Sequence, residues 1–140
     1  MAKLFVVPFI LLYGIGMTHG QEMKSTANGV FTEEQVKKGG VAYDANCASC
    51  HGADLRSTDR EVPHLFRLLL SSKWIGKSVA EMFEGIRDTM PPEQKHSLED
   101  QVYLDILAYI LRFNKVPAGG EYLTPNVQVL KQIVIEKPPG

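Results

Sequence analysis

The sequence predicts an all-α domain, a few short helices joined by long loops with little sheet. Three observations carry that expectation. Helix-start signatures recur at Thr32, Ser78 and Ser97. Apolar residues follow each of them at helical spacing. Prolines, or a shift to a Pro- and Gly-rich composition, then close the helical stretches.

The chain has 140 residues, 44% of them hydrophobic, and a formal net charge of −1. That length suits one domain with a modest core. A small domain buries a smaller share of its surface than a large one, so a planar cofactor inside the core would add stability. The near-neutral balance gives no reason to expect nucleic acid as a partner. Residues 1–20 are expected to be an export signal, removed before folding. Met1-Ala2-Lys3 makes a positive start, Leu4 to Ile15 is almost wholly apolar, and Thr18-His19-Gly20 supplies small residues before Gln21. The apolar run is broken by Pro8 and Gly14 and is shorter than the roughly 20 residues a spanning helix needs, so no membrane-spanning segment is expected after cleavage. The destination implied is the periplasm.

Residues 21–31 are polar and small and are expected to form a flexible N-terminal tail ahead of a domain over 32–115. Thr32-Glu33-Glu34-Gln35 is a capping box that opens a helix through Val36, Gly39, Gly40 and Tyr43 to about Asn46. Two glycines inside a helix cost up to about 1 kcal/mol each, and close approach of another backbone is the usual compensation. Residues 52–63 are loop-like, and His64 to Leu70 suits a short helix. Ser78-Val79-Ala80-Glu81 opens a helix with Val79, Met82, Phe83 and Ile86 on one face, stopping before Met90-Pro91-Pro92. Ser97-Leu98-Glu99-Asp100 opens a last long helix that ends at Asn114 and Pro117. Residues 116–140 form an irregular C-terminal extension, packing on the domain or docking a partner.

Cys47-Ala48-Ser49-Cys50-His51 is the attachment pattern of a c-type haem. Two thiols three residues apart can form thioethers to two vinyl groups on one side of a porphyrin. The histidine that follows is then carried under the iron as a ligand. Other readings fit less well. A disulfide between the two cysteines suits an exported protein but leaves His51 unexplained. A thioredoxin-like pair expects a βαβ setting, and a zinc site would have to draw on His64 and His96 at irregular spacing.

With these residues in view, the chain resembles the class I c-type cytochromes, monohaem and of bacterial type, over about residues 32 to 114. Gly39, Tyr43 and Cys47-x-x-Cys50-His51-Gly52 match that family's amino-terminal helix and haem site. Pro63-x-Leu65 matches its proline, whose carbonyl accepts a hydrogen bond from the proximal imidazole. Gly85-x-x-x-x-Met90-Pro91 matches its distal loop and Leu107-Ala108-Tyr109-Ile110 its last helix. The resemblance implies roughly three to five helices wrapped around one covalent haem c. It also implies that the first and last helices cross closely at Gly39.

An iron that carries electrons usually has a second axial ligand, and thioether sulfur there raises the potential. Met90 is the expected ligand, because Pro91 forces it out of helical geometry into a loop from which its side chain can reach a metal. Met82 shares an apolar face and reads as core, Met23 lies in the tail, and His64 and His96 read as surface or neighbouring groups. Trp74, the single tryptophan, either donates its indole N–H to a propionate or packs over the cofactor edge. Arg56, Lys73 and Arg87 are candidate propionate partners. Tyr43, Leu65, Phe66, Phe83, Leu104 and Leu107 are the expected apolar wall.

Two functions fit. One is a diffusible one-electron carrier, not an enzyme, that docks briefly with a redox donor and an acceptor such as a terminal oxidase or another cytochrome. The other is the haem subunit of a quinoprotein (alcohol-type) dehydrogenase complex. The stretch from Glu121-Tyr122-Leu123-Thr124-Pro125 to Ile133-Val134-Ile135 is weakly similar to the tails of cytochromes that accompany such enzymes.

Overall fold

The computed structural model describes residues 23–68 and 73–138. The expected export signal at 1–20 lies outside them. Among the described residues are helices α1 (Glu33–Asn46), α2 (Ala48–His51), α3 (Val79–Thr89), α4 (Asp100–Phe113) and α5 (Val127–Leu130). Two very short strands, β1 (Lys24–Ser25) and β2 (Ile133–Val134), pair in parallel. The chain is mostly helical with little strand, as the sequence predicts. Among the described residues no helix is long and apolar enough to cross a membrane.

Helix α1 starts where Thr32 accepts a hydrogen bond from the Gln35 backbone N–H at 3.1 Å. Glu33 and Glu34 set negative charge against the positive end of the helix. The expected return bond from the Gln35 side chain is absent, because that side chain is fully buried. Its Nε2 donates to Asp105 Oδ1 and to the Leu123 carbonyl, both at 2.9 Å, while its Oε1 accepts from the Leu123 N–H at 3.0 Å. Gln35 is therefore a tertiary clamp rather than half of a capping box.

Helix α4 packs across α1. At Gly39 the α4 backbone comes so close that a Cβ would overlap the carbonyl of Asp105. Only glycine permits that approach, which accounts for its helix-propensity cost. Helix α3 has both bonds of the capping box between Ser78 and Glu81. It buries Val79, Ala80, Met82 and Phe83, and ends at Met90, whose backbone is extended ahead of Pro91. Helix α4 begins at Asp100 with Glu99 as its cap, two residues after the expected cap at Ser97. The Ser97 N–H is engaged by Gln94 O, and His96 has a left-handed backbone, so the chain is still turning there.

Two further expectations are corrected, and the extension takes one of its two expected forms. The tail expected over 21–31 is built into the body from Lys24 on: Thr26, Val30 and Phe31 are buried, and β1 pairs with β2. Val30-Phe31 is the reason, since two adjacent large apolar side chains favour burial by roughly 1.5–3 kcal/mol each. The short helix expected at 64–70 does not begin at His64: residues 64–67 are loop and turn, and Leu68 is 3-10 helical. Leu65 and Phe66 both donate their N–H groups to the Leu55 carbonyl, and Arg67 has a left-handed backbone; Leu69 and Leu70 lie outside the described residues. Lastly, the extension from Val116 packs Leu123, Leu130, Ile133 and Ile135 into the core. Ile135 exchanges backbone bonds with Gly76 and Lys77, tying this strap to the approach to α3.

Candidate functional site

The site starts at the end of α1. The Cys47 N–H still bonds the Tyr43 carbonyl at 2.8 Å, but its own backbone leaves helical geometry, and the single turn α2 follows. Within that turn Cys47 and Cys50 stand three positions apart, and the His51 N–H bonds the Cys47 carbonyl at 2.9 Å. One helical turn therefore presents both thiols and the imidazole together. Gly52 ends it with φ +81°, and a Cβ there would meet the carbonyl of Arg56. Glycine is required on both counts.

The loop after Gly52 returns to the imidazole. Leu55 is buried, and its carbonyl takes the N–H groups of both Leu65 and Phe66 at 2.9 and 2.8 Å. This holds Pro63 so that its carbonyl lies 3.0 Å from Nδ1 of His51. A carbonyl can only accept, so Nδ1 carries the proton and Nε2 keeps its lone pair free to bind a metal.

Cys47, Cys50, His51, Pro63 and Met90 all border one cavity of about 680 Å³. That volume falls within the range of cofactor sites, roughly 300–1,000 Å³. Leu65, Trp74 and Lys73 border it as well, and so do His64 and Met82. Most of the remaining wall is apolar, from Leu68, Ile86, Ile106 and Ile110. Cys47 is half-buried and Cys50 exposed, both as free thiols, so the thiol side of the cavity opens to solvent. Burial, and then the nearby Cys50, push the Cys47 thiol up to about 11.

Several expected wall residues lie elsewhere. Tyr43 is fully buried behind the cysteine motif, with its hydroxyl donating to the Gly52 carbonyl at 2.8 Å and its ring against Tyr109. It supports the turn that carries His51 and does not border the cavity. Phe83, Leu104 and Leu107 face the core, and Phe66 packs edge-on against Phe113. Of the three candidate propionate partners, only Lys73 borders the cavity. Arg56 lies over the Phe66 ring, and Arg87 pairs with Asp88 and Asp100. Trp74 sits between Lys73 and Lys77, against Gly85. His96 is exposed beside Asp88, and Met23 is 62% exposed.

Two contacts escaped the sequence reading. The Tyr103 hydroxyl donates to the Met90 carbonyl at 2.9 Å, and Asn114 Nδ2 donates to the Leu65 carbonyl at 2.9 Å. Neither residue forms part of a motif; nothing in the sequence singled out Tyr103, and Asn114 read only as a helix stop.

The arrangement can hold a large, flat, mostly apolar group that bears a metal. It offers two thiols at one edge, a tautomer-fixed imidazole, and thioether sulfurs from a different part of the chain. Among the described residues, no three His, Cys, Asp or Glu side chains are grouped to hold a bare metal ion. A family model described as cytochrome c oxidase, cbb3-type, subunit III matches residues 34–110, which span the cysteine motif, Pro63 and Met90. No curated protein and no solved structure matches this chain.

Proposed function

The chain belongs to the c-type cytochrome family that this match defines, so its general role is haem-based electron transfer, and from that premise we propose a one-electron carrier with one covalent haem c and histidine–methionine ligation. Bound haem supplies an iron centre that takes up and releases a single electron.

The chain's own residues support each part of the reading. Cys47 and Cys50 would hold the group at the open edge of the cavity. His51 would bind through Nε2, since Nδ1 is committed to Pro63 at 3.0 Å, and that hydrogen bond raises the basicity of the ring. This contact, within one cavity that also takes in both thiols and Met90, is the observation that carries the proposal. Met90 is the favoured distal residue, because it lies in an extended segment just past the end of α3, whereas Met82 lies inside α3 and is fully buried. The apolar wall of Ile86, Ile106 and Ile110 would lower the local dielectric and favour the less charged ferrous form.

Partners would approach the open edge beside Cys50, a small surface suited to brief redox encounters. A donor and an acceptor in the periplasm fit this reading, a terminal oxidase or another cytochrome among the acceptors. The carrier is favoured over a quinoprotein dehydrogenase subunit because Leu123, Leu130, Ile133 and Ile135 of the extension are used in the chain's own core. The test is a redox titration of the purified, haem-loaded protein. One electron per covalent haem, with reversible exchange to a second cytochrome, is expected; absence of covalent haem would overturn the reading.

A further inference from the structure

Helix α4 touches the candidate site in more than one way. Ile106 and Ile110 form part of its wall. On either side of them, Tyr103 and Asn114 reach the backbones of two separate loops. The Tyr103 hydroxyl donates to the Met90 carbonyl, and Asn114 Nδ2 donates to the carbonyls of Leu65 and Ile110 at 2.9 and 2.8 Å. Met90 is the proposed distal ligand. Leu65 stands two residues after Pro63, whose carbonyl holds His51.

We infer that α4 is the gauge of the site: Tyr103 and Asn114 are positioning residues that fix the Met90 loop and the Pro63 loop to one rigid element. They stand eleven positions apart, about 16 Å along a helix axis. A helix resists changes in length, so loops anchored near its two ends keep a fixed separation. The inference rests on the histidine–methionine reading.

A second observation supports a positional role for Asn114. Its side chain is 5% exposed, and its Oδ1 finds no partner among the described residues. An apolar residue would fill the position without burying an unpaired acceptor. What the amide adds is its donors, and both are directed at backbone carbonyls. Tyr103 is similar: 2% exposed, its ring could be a phenylalanine for packing alone, and its hydroxyl serves Met90.

The two anchors would act on different proposed ligands of the iron, Met90 and His51, so their loss should have opposite consequences. Tyr103→Phe frees the Met90 loop and weakens thioether ligation, which lowers the reduction potential. Asn114→Leu frees the Pro63 loop, weakens the bond to Nδ1 and makes His51 a poorer donor to ferric iron, which raises the potential. General loosening of the fold would instead admit water and lower both.

The experiment uses the haem-loaded full chain, its Tyr103→Phe and Asn114→Leu variants, and free imidazole as a competitor for the methionine position. Potential, imidazole affinity and melting temperature are measured for each. Expected are a lower potential and roughly three- to tenfold tighter imidazole binding in Tyr103→Phe. A raised potential and parental imidazole affinity are expected in Asn114→Leu. Potentials that move together, or that stay put whatever the melting temperature does, overturn the gauge. A parent protein without a methionine–iron signature overturns the ligation reading, and the gauge with it.

Discussion

Gly39 of α1 lies against the carbonyl of Asp105 on α4, so close that no Cβ fits between them. That crossing sets the direction in which α1 leaves its last turn, and hence where Cys47, Cys50 and His51 begin. Gly39→Ala should therefore destabilise the protein. Relief of the glycine's helix penalty returns up to about 1 kcal/mol, but forcing two helices apart costs about 1–3 kcal/mol or more. Gly40→Ala is the contrast, since its Cβ would meet only the Tyr109 ring at 3.3 Å. In urea titrations the first variant should lose about 2 kcal/mol and the second should stay within about 1 kcal/mol of the parent. Equal effects would contradict this account of the crossing.

Covalent attachment is tested by replacing the thiols. The chain produced with a haem-attachment system should carry haem that survives denaturing electrophoresis, and Cys47→Ser with Cys50→Ser should remove the signal. Cys50 is exposed and Cys47 half-buried, so each serine is accommodated without a new cavity. Haem stain that persists in the double variant would refute the assignment.

Met90 and Met82 both border the cavity, and single substitutions separate them. Met90→Ala should abolish the near-infrared band of methionine bound to ferric iron, lower the potential and open the iron to small ligands. Met82 is 1% exposed, so Met82→Ala should keep the band and lose about 2–5 kcal/mol of stability. The reverse pattern would move the ligand to Met82.

Burial, and then the nearby charges of Cys47 and Tyr109, hold the Tyr43 hydroxyl well above its ordinary value of 10.0; burial raises Tyr109 too. The folded state thus favours the neutral phenols more than the unfolded chain does. Their contribution is complete below about pH 10 and falls at higher pH, where unfolded tyrosines ionise first. Each such group adds up to about 1.4 kcal/mol of loss per pH unit in that window. Tyr43→Phe should be less stable at pH 7 by about 1 kcal/mol, from its lost bond to Gly52 O, and should fall less steeply above pH 10. Parallel pH profiles would contradict the linkage.

The strongest sequence signals were those that combine composition with fixed spacing. Ser78 and Glu81 form their capping box, and the helix stops where Pro91 forces Met90 to extend. Cys47, Cys50 and His51 share one turn for the same reason, since their spacing is itself the geometry. Signals carried by periodicity alone were weaker. Helix α4 buries Leu104, Ile106, Leu107, Ala108, Ile110 and Leu111, nearly all round, so spacing could not decide which face would meet the cavity. The structure turns Ile106 and Ile110 to it, where Leu104 and Leu107 were expected. Gln35 fitted a local capping pattern, but its buried pairing with Asp105 and Leu123 took precedence, and that pairing spans 88 positions of sequence to Leu123. Tyr103 and Asn114 act across gaps of 13 and 49 positions, which a local pattern cannot register.

The last prediction concerns the extension and separates carrier from complex subunit. Removing residues 121–140 would take Leu123, Leu130, Ile133 and Ile135 out of the core. At roughly 1.5–3 kcal/mol for each side chain, that loss rivals the whole stability of an ordinary domain, about 5–15 kcal/mol. It would also strip Gln35 of its partner at Leu123 and β1 of its pairing strand. The truncated chain should therefore fold poorly, and loss of partner binding in it would reveal nothing about docking. A surface change is the sharper test. Val129 is 45% exposed on α5, beside the buried Leu130, so Val129→Lys alters the outer face of the extension and leaves the inner one alone. If the extension docks on a dehydrogenase, this variant should bind that enzyme at least about tenfold more weakly, with its spectrum and melting temperature unchanged, since a charge buried in an interface without a partner costs well over 1.4 kcal/mol. If the protein is a free carrier, affinity for every dehydrogenase tried should stay as it was, and electron exchange with a second cytochrome should keep its rate. The second outcome is expected, because most of the extension's large apolar side chains, Leu123, Leu130, Ile133 and Ile135 among them, are already inside.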